Sequence, residues 1–173
     1  MVRPLKIVVT SDFHGKTESF HKIAKEAERL QASAIVICGD ITHFGSVEEA
    51  KILLNSLVDL KLPVLYVPGN CDPPSLNEAK INRTRCLHGN CETFGNLNFI
   101  GVGGSSTGIG HTPFELSEED MMNVLNEAFS RCSVDKRFVL VSHSPPRNTQ
   151  ADKAFMGAHV GSLSVRRFID EKK

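Results

Sequence analysis

Three apolar runs separated by two helical patterns fill the first 67 residues, and they restrict the chain to few folds. Residues 6–11, 34–38 and 63–67 read as strands buried on both faces. Between the first two, Phe20, Ile23, Ala24, Ala27 and Leu30 recur at helical spacing with Lys and Glu between them. The second helix has Ser46 as its N-cap, Glu49 completing a capping box, and Ala50, Leu53, Leu54 and Leu57 as its apolar face. Strand, helix, strand, helix, strand in that order predicts right-handed crossovers and a parallel core.

After Asp72 the texture changes. Residues 83–87, 91–94 and 97–102 read as short strands of an antiparallel meander, joined by Gly/Asn turns. Residues 101–113 form a long Gly/Ser-rich loop, a kind that is usually functional or mobile. Ser117 and the acidic residues 118–120 open a third helix that runs through Phe129. Residues 138–141 make another buried strand, and a last helix capped by Ser162 carries Val165, Phe168 and Ile169. At 173 residues the chain suits one domain spanning 1–173.

Each of four strands ends in polar groups beside glycine or proline: Asp12 and His14, Asp40, Asn70, and His143. In open α/β sheets ligands bind just beyond the carboxyl ends of the strands. Taken singly, an Asp or Asn after a strand is a turn former or a helix cap, and a single His is an ordinary half-buried residue. Four tips sharing one pattern point to a common site. Carboxylate, imidazole and amide oxygen without thiolate suit manganese, iron, zinc or nickel. A carboxylate shared by two ligand groups is what a pair of metals needs, and Asp40 is the natural bridge.

The ordered set Asp12-x-His14-Gly15, Gly39-Asp40, Gly69-Asn70-Cys71-Asp72 and Ser142-His143 resembles the calcineurin-like metallophosphoesterase family. The resemblance runs from about residue 6 to about residue 170, and the closest likeness is to its small prokaryotic phosphodiesterase branch. It implies an α/β fold, a two-sheet β-sandwich flanked by helices. It further implies two divalent metal ions, manganese first, with nickel, iron or zinc as alternatives. Asp12 and His14 would bind the first ion, Asp40 would bridge, and Asn70 and His143 would bind the second. The implied reaction is attack on phosphorus by a hydroxide held between the metals, with Asn70, His143 and Asp40 as the catalytic set. Asn70 would also hydrogen-bond the phosphate.

The sequence departs from the family pattern twice. Cys71 stands where many members have a general-acid histidine, and Asp72 or a metal-held water is the substitute. No Gly-His-x-His motif follows the last helix, so the expectation is a C-terminally incomplete form lacking the final strands. His43, His111, His159 and Arg147 are candidates for touching substrate, whereas His21 and His88 read as structural. The alternative to an enzyme is a binding scaffold of the same fold with weak or no catalysis.

Lys+Arg and Asp+Glu balance at 20 each, so the net charge of +0 argues against a generic nucleic-acid binder. The expected partner is a small phosphorylated substrate. No membrane partner is expected, and an exposed sheet edge could pair two copies. The five cysteines form no C-x-x-C pair and read as free thiols of a cytoplasmic protein, with a Cys86–Cys91 bridge as the minority reading.

Overall fold

A computed structural model describes residues 5–172 apart from 109, 134, 155 and 156. Among the described residues, nine strands and four α-helices follow in this order: β1 (Ile7–Thr10), α1 (Thr17–Leu30), β2 (Ala34–Cys38), α2 (Val47–Asn55), β3 (Val64–Val67), β4 (Thr84–Cys86), β5 (Cys91–Phe94), β6 (Leu97–Val102), β7 (Ser105–Ser106), β8 (Glu115–Leu116), α3 (Glu118–Ser130), β9 (Arg137–Ser142) and α4 (Leu163–Glu171). Strands β1-β2-β3-β4 form one sheet, β5-β6-β9 a second, and β7-β8 a small ribbon.

The layering follows from the two-residue side-chain period of each strand. Ile35, Ile37, Val64 and Tyr66 face one way and pack with Phe20, Ala27, Leu53 and Leu54 of α1 and α2. Their neighbours Val36, Leu65 and Val67 face the other way and meet Leu87, Phe99 and Val141 between the sheets. Ile100 and Val102 turn from β6 onto α3 and α4, where Met121, Leu125, Ala128, Val165 and Phe168 close a third core. The result is helices, sheet, sheet, helices, the sandwich expected from the sequence.

The helix starts are set by local chemistry. Ser46 Oγ accepts from Glu49 N (3.2 Å), Ser117 Oγ from Asp120 N (3.0 Å), and Ser162 Oγ from Val165 N (3.1 Å). Glu118 joins the last two helices: its carboxylate accepts from Ser162 Oγ (2.7 Å) and from Ser164 N (2.8 Å) in the first turn of α4. Burial opposes its charge, yet these donors hold the carboxyl down to about 2.

Two expectations are corrected. β4 pairs in parallel with β3, so only β5 and β6 form an antiparallel hairpin, and β6 pairs in parallel with β9. The turn at 88–90 passes the chain from one sheet to the other instead of folding it back. The cysteines are not all free, and Cys86 does not pair with Cys91. Cys91 and Cys132 form a disulfide, leaving Cys38, Cys71 and Cys86 as thiols. Cys91 stands opposite Ile100 in the ladder and so shares the face packed on α3, beyond whose end Cys132 lies. Cys86 instead places its sulfur 3.7 Å from Asn77 Oδ1.

The disulfide closes a 41-residue separation. In the chain-entropy account, a loop of this size gives about 4 kcal/mol of stability, the top of the usual range. Replacing both Cys91 and Cys132 by Ala is expected to lower the unfolding free energy by about that amount in non-reducing urea titrations. Wild type in reductant should follow the variant.

Candidate metal centre

Sharp turns at three neighbouring strand tips bring the polar residues together. Asp12, His14 and Asp40 all have left-handed backbone, with φ of 59°, 47° and 52°. That conformation costs a non-glycine residue about 1–2 kcal/mol. The turns are pinned to one another: Asp12 N donates to Gly39 O (3.1 Å), and His14 N to Asp40 O (2.8 Å).

The pinning of the β2 and β3 tips falls to Asp72. Its fully buried carboxylate accepts from Ile41 N (3.0 Å), Thr42 N (2.7 Å), Thr42 Oγ1 (2.8 Å) and Gly69 N (2.8 Å). It is a clasp, and it is not placed to supply a proton. Sequence reasoning missed this role, because an acid after Asn-Cys looks like any turn former.

Two glycines allow the tips to close. A Cβ on Gly69 would lie 2.0 Å from Asp40 Oδ1, and one on Gly39 2.4 Å from His143 Nδ1. Gly39 also needs its φ of +92°.

Asp40 is the centre of the arrangement. Its side chain is 5% exposed; Oδ2 lies 3.5 Å from His14 Nε2, and Oδ1 lies 3.4 Å from His143 Nε2. Each carboxylate oxygen thus serves a different histidine. Asp12 Oδ1 completes one half at 3.8 Å from His14 Nε2, on a side chain 57% exposed that opens the site to solvent. Asn70 Oδ1 completes the other half, 2.7 Å from His143 Nε2.

The donor set fits cations. His143 Nδ1 donates to Cys38 O (2.8 Å), which leaves the Nε2 lone pair facing Asn70 Oδ1 and Asp40 Oδ1. Three acceptors converging without a donor call for a positive charge. A histidine whose second nitrogen is held by a carbonyl is the usual arrangement of a metal ligand. Asp12, His14 and Asp40 also offer ligand atoms within 4.8 Å of one another.

The remaining candidates separate. His43 is brought to the centre, its Nδ1 3.3 Å from His14 Nδ1. Arg147 is turned away: its Nη1 donates to Gly161 O (3.4 Å) within its own loop. His159 bonds buried Asp152 (2.7 Å) in that same loop, and His111 is exposed on the loop before β8. Neither contacts the residues of the centre among the described contacts. The expected long loop is held down, since Gly104 N donates to Pro68 O (3.0 Å) and Phe114 N to Asn70 O (3.1 Å). Burial, with smaller contributions from Asp40 and its neighbours, pushes the Cys71 thiol up to about 12, so it is no general acid.

The sequence profile of calcineurin-like phosphoesterases matches residues 5–173. The chain belongs to that family. Its members typically bind divalent metals, and the two halves around Asp40 are where this member's donors gather. The chain is 39% identical over 177 residues to the uncharacterized protein MJ1162 of Methanocaldococcus jannaschii, covering 99% of this chain and 76% of that protein. Its fold is similar to that of TT1561 of Thermus thermophilus, with a TM-score of 0.78, 22% identity, and 97% and 78% of the two chains covered. A second solved structure gives a TM-score of 0.80 at 18% identity, covering 97% of this chain and 80% of the other. No described helix is long and apolar enough to cross a membrane.

Two tests follow from the packing. Gly69→Ala pushes a methyl into Asp40 and is expected to weaken divalent-cation binding by more than about tenfold in titration calorimetry, a loss within reach of even outer ligand-shell changes. The second concerns His88, whose Nδ1 accepts from Gly103 N (3.0 Å) and so secures the loop against the turn at 88–90. Burial lowers its pKa from 6.5 to about 4. The unfolded chain therefore takes up the proton first as pH falls, and the contribution, complete above about 6.5, is lost toward about 4. His88→Gln should flatten the urea midpoint over that window relative to wild type.

Proposed function

We propose that this protein is a metal-dependent phosphodiesterase that hydrolyses a small or nucleotide-like phosphodiester. The observation that carries the reading is Asp40, whose two oxygens are divided between His14 and His143. Asp12, His14 and Asp40 would hold one divalent ion, and Asp40, Asn70 and His143 a second, with manganese the first candidate. Bound there, such ions supply Lewis acidity toward the phosphoryl oxygens and offset their charge.

The chain's own groups define the rest. The Asn70 amide N–H now faces only the Cys71 sulfur at 3.7 Å, a weak acceptor, and is available for a stronger bond to a phosphoryl oxygen. Burial makes the Cys71 thiol a weak proton donor, and Asp72 is committed to four donors. Substrates whose leaving group departs without a proton are therefore favoured, which points to diesters with acidic alcohols. Left-handed backbone retained at Asp12, His14 and Asp40 favours an enzyme over a scaffold, since a scaffold has no use for that strain.

We place the reaction in the cytoplasm on the strength of the three thiols Cys38, Cys71 and Cys86, a reading against which the Cys91–Cys132 disulfide weighs. The net charge of +0 suits a small substrate better than a nucleic-acid polymer. Pairing of two copies through the open edge of β1, where Val9 is 63% exposed, is part of the same proposal.

The test is hydrolysis of bis(4-nitrophenyl) phosphate by the purified chain with added manganese. Activity is expected, with loss on chelation and a fall of more than about 100-fold in Asp40→Ala, beyond what outer ligand-shell changes cost. Activity unchanged in Asp40→Ala would reject the reading.

A further inference from the structure

We infer that His14, His43 and Cys71 form a second, thiophilic cation site, which takes zinc- or cadmium-class ions and competes with the Asp12–Asp40 centre for His14. Their ligand atoms lie within 4.8 Å of one another. This donor set is two nitrogens and a sulfur, whereas the neighbouring set of Asp12, His14 and Asp40 is two oxygens and a nitrogen. Thiolate with imidazole selects soft and borderline ions, and carboxylate selects hard ones.

The geometry supports a bound ion. Two nitrogens on one tetrahedral zinc, each at about 2.0–2.1 Å, stand about 3.3 Å apart. His14 Nδ1 and His43 Nδ1 are 3.3 Å apart, with their rings edge to face at 80°. The three donors come from loops after three adjacent strands, and backbone bonds lock those loops together. Gly15 N donates to Ile41 O (2.9 Å), and Phe44 N donates to Cys71 O (3.0 Å).

Residue 44 carries a further sign of construction. Phe44 is 55% exposed and has a left-handed φ of 58°, a conformation unusual for a bulky side chain. Its ring lies against His43, centroids 4.8 Å apart. The strain sits on the residue that aims His43, although His43 faces none of the carboxylates of the other centre in the described contacts.

Competition follows from the imidazole itself. A neutral imidazole has one lone pair in the ring plane and one N–H. With the lone pair on Nε2, His14 serves Asp12 and Asp40, and its Nδ1–H donates to His43 Nδ1. With the lone pair on Nδ1, the nitrogen 3.3 Å from His43 Nδ1, it would join His43 and Cys71 on the soft ion, and the oxygen-rich set would lose its only nitrogen. The chain thus uses one ring as the ligand of either a hard or a soft ion. Binding of the soft ion must displace the Cys71 proton that burial and the nearby carboxylates otherwise hold: one metal–sulfur bond forms, the S–H bond breaks, and one proton leaves to solvent.

The experiment is titration of cobalt(II), and separately cadmium(II), into the metal-stripped full chain, followed by absorbance and proton release. A sulfur-to-metal charge-transfer band saturating at one equivalent is expected, with one proton released per ion. Cys71→Ser should abolish the band, while Cys38→Ser and Cys86→Ser leave it. His43→Gln, a change at an exposed side chain outside the core, should weaken the titration by more than about tenfold. Asp12→Asn should leave the band in place. Absence of the band in wild type would overturn the inference. So would its survival in Cys71→Ser, its indifference to His43→Gln, or its loss in Asp12→Asn. None of these readouts depends on phosphodiester hydrolysis.

Discussion

The buried carboxylate of Asp72 is the interaction on which the centre depends. The turns after β2 and β3 leave the amides of Ile41, Thr42 and Gly69 without helix or sheet partners, deep in the protein. An unpaired buried amide costs about 1–3 kcal/mol. One carboxylate satisfies all three together with the Thr42 hydroxyl, and thereby fixes two strand tips relative to each other. Asp40 and Asn70 stand on those tips, so their mutual placement is inherited from a residue that touches neither histidine of the centre.

Much of this was legible in the sequence, for physical reasons that can be named. Buried parallel strands need unbroken apolar runs, and helices between them need a 3.6-residue period. The first three strands and two helices were therefore visible at once. The residues at the strand tips were visible because one polar pattern beside glycine or proline recurs after four such runs, although each alone passes for a turn former or a cap. What stayed hidden depended on direction rather than composition. Whether β4 returns antiparallel or joins β3 in parallel is decided by where the turn at 88–90 sends the chain. That Cys91 meets Cys132 depends on which face of β5 it occupies and on the far end of α3. Neither is written in local spacing.

The peripheral histidines show the same limit. His43, His111 and His159 looked alike in sequence, each a loop histidine: one just after Asp40, one in the glycine-rich stretch and one before the last helix. Only His43 is drawn to the centre, because the amide of its neighbour Phe44 bonds Cys71 O. His159 is instead absorbed by Asp152, which is 1% exposed and gathers the amides of Asn148, Thr149 and Gly161 as well. Two buried aspartates, 72 and 152, thus organise two loops, and the donors of the centre stand beside the first.

The parallel sheet has a consequence for how the donors are spaced. Neighbouring strands are held about 4.8 Å apart by their backbone hydrogen bonds. Asp12 and His14, Asp40, and Asn70 leave from three consecutive strands, β1, β2 and β3, so the backbone lattice acts as a ruler for the side chains beyond it. The loops choose which atoms are presented, but the pitch of the sheet sets how far apart they start. The spacing from which these donors start is therefore a dimension of the sheet, which the loops inherit and do not set.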